Sequence, residues 1–216
     1  MKLDVLVPSD LSEITLDQFV RIMSLEEMNG TNVFQMQKVV EIICGIDLKS
    51  VAEIKYKDVK SIYDHVQGLL NTEPEFIPRF EMNETEYGFI PVLDEMSFGE
   101  YIDVNENMSS WKNMHKAMAV LYRPITYRQE KLYTIEKYDG LSDAEKYKDV
   151  PLDVALGANF FFLNLGIELL ETTLRFSDKK KMTSQEKQIL LASGAGFKAS
   201  LDSLRAILQR SNILLS

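Results

Sequence analysis

The sequence predicts a mainly α fold with a small antiparallel β element, and three observations carry that reading. Polar helix caps followed three residues later by Glu or Gln recur at Thr15/Gln18, Ser97/Glu100, Ser142/Glu145 and Thr183/Glu186. Between such signals the apolar residues return at helical spacing. Only the stretches around 76–92 and 132–138 have the aromatic, β-branched texture of strands.

The N-terminal unit reads as three amphipathic helices. Thr15 and Gln18 form a capping box over which Ile14 and Phe19 can close as a hydrophobic staple; the helix runs through Phe19, Ile22 and Met23 and stops near Asn29-Gly30. A second helix follows Thr31 or Asn32, with Val33, Met36, Val40 and Ile43 on one stripe and Val39, Ile42 and Ile46 beside it, ending around Gly45. Ser50 and Glu53 can cap a short turn. A third helix uses Val59, Ile62, Tyr63, Val66, Leu69 and Leu70, and the extended preference of the residue before Pro74 helps to end it. A change of texture after Asn71 places a subdomain boundary there, giving 1–73 as an N-terminal helical subdomain and 74–216 as a β-hairpin plus helical subdomain.

That second subdomain opens with a hairpin, FIPRFEM and TEYGFIPV turning at Asn83-Glu84, whose prolines confine it to a sheet edge. LYTIEKY from Leu132, closed by Asp139-Gly140, is a further strand. Ser97 and Glu100 cap a short helix FGEYID; Ser109 or Ser110 opens the Trp111 helix, which Arg123 before Pro124 ends. The segment 151–170, PLDVALGANFFFLNLGIELL, has about the 20-residue length of a membrane span. Asp153, Asn159, Asn164 and Glu168 interrupt it, and such groups are costly in hydrocarbon, so it reads as a central helix buried on nearly all sides, with Pro151 in its first turn. Thr183 and Glu186 open a last helical region, broken at Gly194 and Gly196 and resumed through Phe197, Leu201, Leu204 and Leu208.

Composition bounds the function. A 45% hydrophobic share with 26% charged residues over 216 residues is that of a folded domain, and a net charge of −9 with a pI near 4.9 argues against duplex nucleic acid or an anionic membrane as partner. The one basic run, Lys179-Lys180-Lys181, reads as a solvated linker. Cys44 sits in VVEIICGI as a small buried hydrophobe, which suits a reducing compartment, and MKLDVLVPSD lacks the apolar core of a secretory signal.

No set of residues assembles a reaction centre, so neither catalytic residues, nor a cofactor, nor a metal is expected. The G-x-G-x-x-A spacing at Gly194, Gly196 and Ala199 follows a helical pattern rather than a strand and reads as a helix break. His65 and His115, with one Cys, fall short of a zinc site. Glu100 and Asp103 could form an acid–base pair or a cation site, but a solvated acidic edge is the simpler reading. SSWKNMHKAMAVLY puts Trp111, Met114, His115, Met118 and Leu121 on one face, followed by Tyr122 and Arg123. A core face is the default. A partner-binding face of Trp111, Met114, His115, Met118, Tyr122 and Arg123 is the alternative, since Met and aromatic side chains adapt to apolar ligands. Arg123 could bind a carboxylate or neutralise acids such as Glu100.

FGEYID at 98–103, WKNMHKAMAVLYRPI at 111–125 and YTIEKYDG from Tyr133 resemble proteins encoded among the structural genes of tailed bacteriophages. ITLDQF from Ile14 and VVEIICGID from Val39 look like the small acidic tail assembly chaperones of such phages, and the resemblance extends over 14–162. It implies a non-enzymatic helper in the host cytoplasm that holds the tape-measure protein, or another tail protein, soluble while tube subunits polymerise. Self-association stays open. The alternative from the same resemblance is a structural virion component, a head–tail connector or ring protein, in which the apolar face is a permanent subunit interface.

Overall fold

The structure, a computed structural model, describes residues 5–26, 32–72 and 74–179, with 166–179 as backbone only. The expected helix stop at Asn29-Gly30, the Thr183/Glu186 start, the 194–199 break and the Leu201–Leu208 stripe lie outside the described residues. Among the described residues the fold is mainly helical with one four-stranded antiparallel sheet.

Helix α1 (Leu16–Glu26) starts at the expected capping box: the Gln18 amide N–H donates to Thr15 Oγ1 at 3.2 Å, and the Thr15 N–H donates to Gln18 Oε1 at 2.9 Å. Gln18 Nε2 also donates to the carbonyls of Ile42 and Ile43, so the cap of one helix satisfies the end of the next. That next helix, α2 (Asn32–Cys44), ends before Gly45, whose φ of +61° is the left-handed conformation that favours glycine. Val39, Ile42 and Ile43 meet Phe19, Ile22 and Leu25 of α1, while Val40 faces Val51 and Val59 of α3 (Leu48–Glu53) and α4 (Tyr56–Leu70). Val33, expected on the apolar stripe, is exposed. The short α3 is capped by Asp47, whose carboxylate accepts from the Ser50 N–H, rather than by Ser50.

The sheet has the order β1 (Arg79–Met82), β2 (Thr85–Phe89), β3 (Tyr122–Gln129), β4 (Leu132–Ile135). Asn83 and Glu84 both have positive φ, as a two-residue turn matching the strand twist requires. Strand β3 departs from expectation. The Trp111 helix consists of a 3-10 turn at Trp111–Asn113 and α6 (Met114–Leu121), after which Tyr122 passes directly into β3. Pro124 thus lies in an inner strand, opposite Tyr87, and its carbonyl accepts from the Glu136 N–H just beyond β4. A register shift between Ile125 and Tyr127 follows it.

Helix α5 (Phe98–Asn107) has the predicted Ser97/Glu100 capping box. Ser142 does not repeat the device, because 144–149 is a 3-10 turn whose N-cap is Asp143 without a side-chain cap. Helix α7 (Leu152–Lys179) starts immediately after Pro151. Leu152, Val154, Ala155, Ala158 and Asn159 are buried, but Phe160, Phe161 and Phe162 are only half-buried, so among the side chains described, up to residue 165, the expected burial on nearly all sides holds for the first two turns and not beyond them. No helix among the described residues is long and apolar enough to cross a membrane.

The larger core lies among the sheet (Met82, Tyr87, Phe89, Tyr122), α6 (Met114, Met118, Leu121) and the start of α7. The N-terminal helices are tied to it at Ile14–Leu16: the Leu16 N–H donates to Val150 O and the Leu152 N–H to Ile14 O, bridging Thr15 to Pro151. Leu152 fills the N-terminal cluster, so the two sides of residue 73 share packing.

Candidate functional site

The six residues singled out on and after the Trp111 helix do not make a surface. Met114, Met118 and Tyr122 are fully buried in the larger core, and His115 is buried at its edge. Tyr122 points its hydroxyl to the Ile77 carbonyl at 2.7 Å, and burial pushes its phenol well above the ordinary range. Trp111 is half-buried and meets Phe19 edge-on at 4.9 Å, sealing the N-terminal cluster against the larger core. The core reading of this face is the one its geometry supports.

Arg123 and Glu100 are brought together. Arg123 Nη2 lies 2.7 Å from Glu100 Oε1, with both side chains about nine-tenths covered. Burial pushes the Glu100 carboxyl up, but hydrogen bonds from the Ser97 hydroxyl and amide, together with the Arg123 charge, hold it below the usual range. The guanidinium also lies over the Tyr138 ring at 5.8 Å, and Tyr138 donates its hydroxyl to Asp103 Oδ2. The four side chains join α5, β3 and the segment after β4. Glu100 and Asp103 therefore each have a partner, and no group of three or more metal-ligating side chains occurs among the described residues.

His115 Nε2 lies 3.4 Å from Glu145 Oε1 across α6 and the 144–149 turn. Burial lowers its basicity, opposed by Glu145 and reinforced by Lys148 and Lys116. His65 Nε2 contacts the Pro8 carbonyl at 2.9 Å, a tie between α4 and the N-terminal segment. Cys44 is half-buried, and desolvation raises its thiol pKa, which opposes thiolate chemistry.

Among the described residues an apolar groove of about 370 Å³ opens beside the hairpin. Its floor is Phe89 and Ile90. Phe76, stacked on Phe161 of α7 with centroids 4.6 Å apart, lines the groove together with Pro91, Val92, Leu93 and Asp94. Phe76 is 36% and Val92 47% exposed, so apolar surface remains in water on an acidic protein. The local sequence explains the placement. Phe76-Ile77-Pro78 and Phe89-Ile90-Pro91 are the same tripeptide at the two ends of the hairpin, and the Phe89 N–H donates to Pro78 O, setting them side by side. Proline cannot extend the ladder as a donor, so pairing stops where the groove begins. Tyr133 closes the end, its hydroxyl donating to Phe89 O at 2.8 Å. Sequence reasoning missed these residues; the repeated Phe-Ile-Pro was the signal available.

Compared with protein-family models, curated proteins and solved structures, the chain matches none of them.

Proposed function

We propose that this protein is a non-enzymatic binder of an apolar helical partner, acting in the host cytoplasm as a tail assembly chaperone for the tape-measure protein. The observation that carries the reading is the open groove of Phe76, Phe89, Val92 and Phe161. An apolar groove flanked by exposed side chains suits a helix laying successive apolar residues into it. The binding face moves from the Trp111 helix, which serves as core, to the hairpin mouth and α7. The net charge of −9 supports the same role, because like-charged bodies carrying one client repel each other and delay its aggregation.

The test is co-expression with the longest helix-rich protein encoded in the same genome, reading client solubility and co-purification, together with mass spectrometry of purified virions. A soluble complex and absence from mature particles is the expected pair of results. No complex and no gain in client solubility would sink the proposal. Presence in particles at fixed copy number would replace it with the connector or ring reading.

A further inference from the structure

The charge of this chain is unevenly distributed. Residues 1–179 contain 18 Lys and Arg against 31 Asp and Glu, whereas 180–216, outside the described residues, contain six against two. The groove lies on the acidic side of that division. Asp94 is the charged residue in its lining, and Glu75 and Glu95, the chain neighbours of Phe76 and Asp94, are exposed. The nearby cation Arg79 is engaged with Glu86 at 3.5 Å. An occupant matching this site presents apolar side chains on one stripe with Lys or Arg beside them.

The sequence of 197–210 has that chemistry: Phe197, Leu201, Leu204 and Leu208 at helical spacing, interleaved with Lys198, Arg205 and Arg210 against one acid, Asp202. We propose that the groove's resident occupant, in the absence of another partner, is this basic apolar segment of the same chain. The reach suffices. From Phe161 in the groove wall to the end of α7 at Lys179 the helix rises about 27 Å, and the connection from Lys179 to Phe197 can span roughly 60 Å when extended. Tethering makes the encounter intramolecular, so a weak contact is populated without high protein concentration. The inference rests on the reading of the groove as a helix-binding surface and adds a built-in competitor that a client must displace.

Cross-linking in the full-length protein tests it. In a Cys44→Ala background, Val92→Cys is paired in turn with Phe197→Cys, Leu201→Cys, Leu204→Cys and Leu208→Cys, and mild oxidation is followed by non-reducing electrophoresis and peptide mass spectrometry. The expected result is an intramolecular disulfide at one or more of these pairs. Its yield should exceed by several-fold that of Tyr127→Cys, another exposed site, with the same tail cysteines, and should fall several-fold with Asp94→Lys and Glu95→Lys together. Equal yields at Val92 and Tyr127, disulfide-linked dimers in place of the internal bond, or no bond at any pair would overturn the inference. A protein that solubilises its client yet forms no internal bond would defeat this inference alone and leave the groove reading standing.

Discussion

Phe76 stacks on Phe161, with ring planes 26° from parallel, so the segment before the sheet and the third turn of α7 build one wall of the groove together. Both rings also meet Phe89 edge-on, at 4.9 and 5.6 Å. Edge and offset contacts of this kind are favourable beyond the area they bury, and they hold apolar side chains in place at a surface. The groove is therefore pre-formed by packing that continues into the core through Phe89 and Tyr122.

The close approach behind Phe76 depends on Gly157. A Cβ there would lie 2.2 Å from the Glu75 carbonyl oxygen, a backbone atom. Alanine gains helix propensity of up to about 1 kcal/mol, but displacing backbone costs typically ~1–3 kcal/mol and sometimes more. Gly157→Ala should thus destabilise by a net of about 1–2 kcal/mol and loosen the Phe76 wall. Urea denaturation measures it, and an unchanged or raised midpoint would show that α7 and 74–77 are not in that contact.

Trp111 is assigned to the junction of two cores, so Trp111→Ala should act on stability. A loss of about 3 kcal/mol is expected, at the low end for aromatic truncation because part of the ring is exposed. The check is thermal or denaturant unfolding. A fully stable variant that has lost client binding would return this face to the partner-binding role.

Arg123→Met removes one member of a covered ion pair and leaves Glu100 without its cation, which should cost about 3 kcal/mol at neutral pH. The sign with pH follows from Glu100, whose carboxyl is held below its unfolded value despite burial. The stability it contributes is complete above the unfolded pKa of about 4.3 and is lost as pH falls through the folded value. The gap between wild type and Arg123→Met should therefore narrow below about pH 4. A gap constant from neutral to acid would show that Arg123 acts through packing alone.

His115 behaves in the same sense at higher pH. Burial depresses its pKa, so the unfolded chain binds the proton more readily and wild-type stability falls as pH drops from above its unfolded value, about 6.5, toward the folded one. In His115→Gln the corresponding slope between roughly pH 7.5 and 5.5 should be shallower. Parallel stability–pH profiles would contradict the assignment.

The parts of this fold legible in sequence are those fixed by neighbours in the chain. The Thr15/Gln18 and Ser97/Glu100 caps and the Asn83-Glu84 turn depend on spacings of a few residues, and all three appear in place. Strand β3 was hidden because LYRPI reads as the exit of a helix, and only pairing with β2, more than thirty residues earlier, makes it a strand. Phe161 was misplaced for a related reason: a continuous apolar run states that a helix is apolar, not where the covering elements end. The Arg123–Glu100 pair was legible only as charge neutralisation between a cation and a nearby acid, because the contact joins the first turn of α5 to β3 across the whole of α6. The groove was not, because its lining comes from 76–78, 89–94, Tyr133 and Phe161, and only the repeated Phe-Ile-Pro marked it.

That this groove holds the client is tested most directly by the fraction of co-expressed client kept soluble by Val92→Asp, compared with wild type and with Tyr127→Asp, a charge placed at a still more exposed site outside the groove. All three proteins should fold with similar stability, because neither side chain is buried. Val92→Asp is expected to lose most of the solubilised and co-purified client while Tyr127→Asp retains it. Retention by Val92→Asp, or equal loss in both variants, would contradict it.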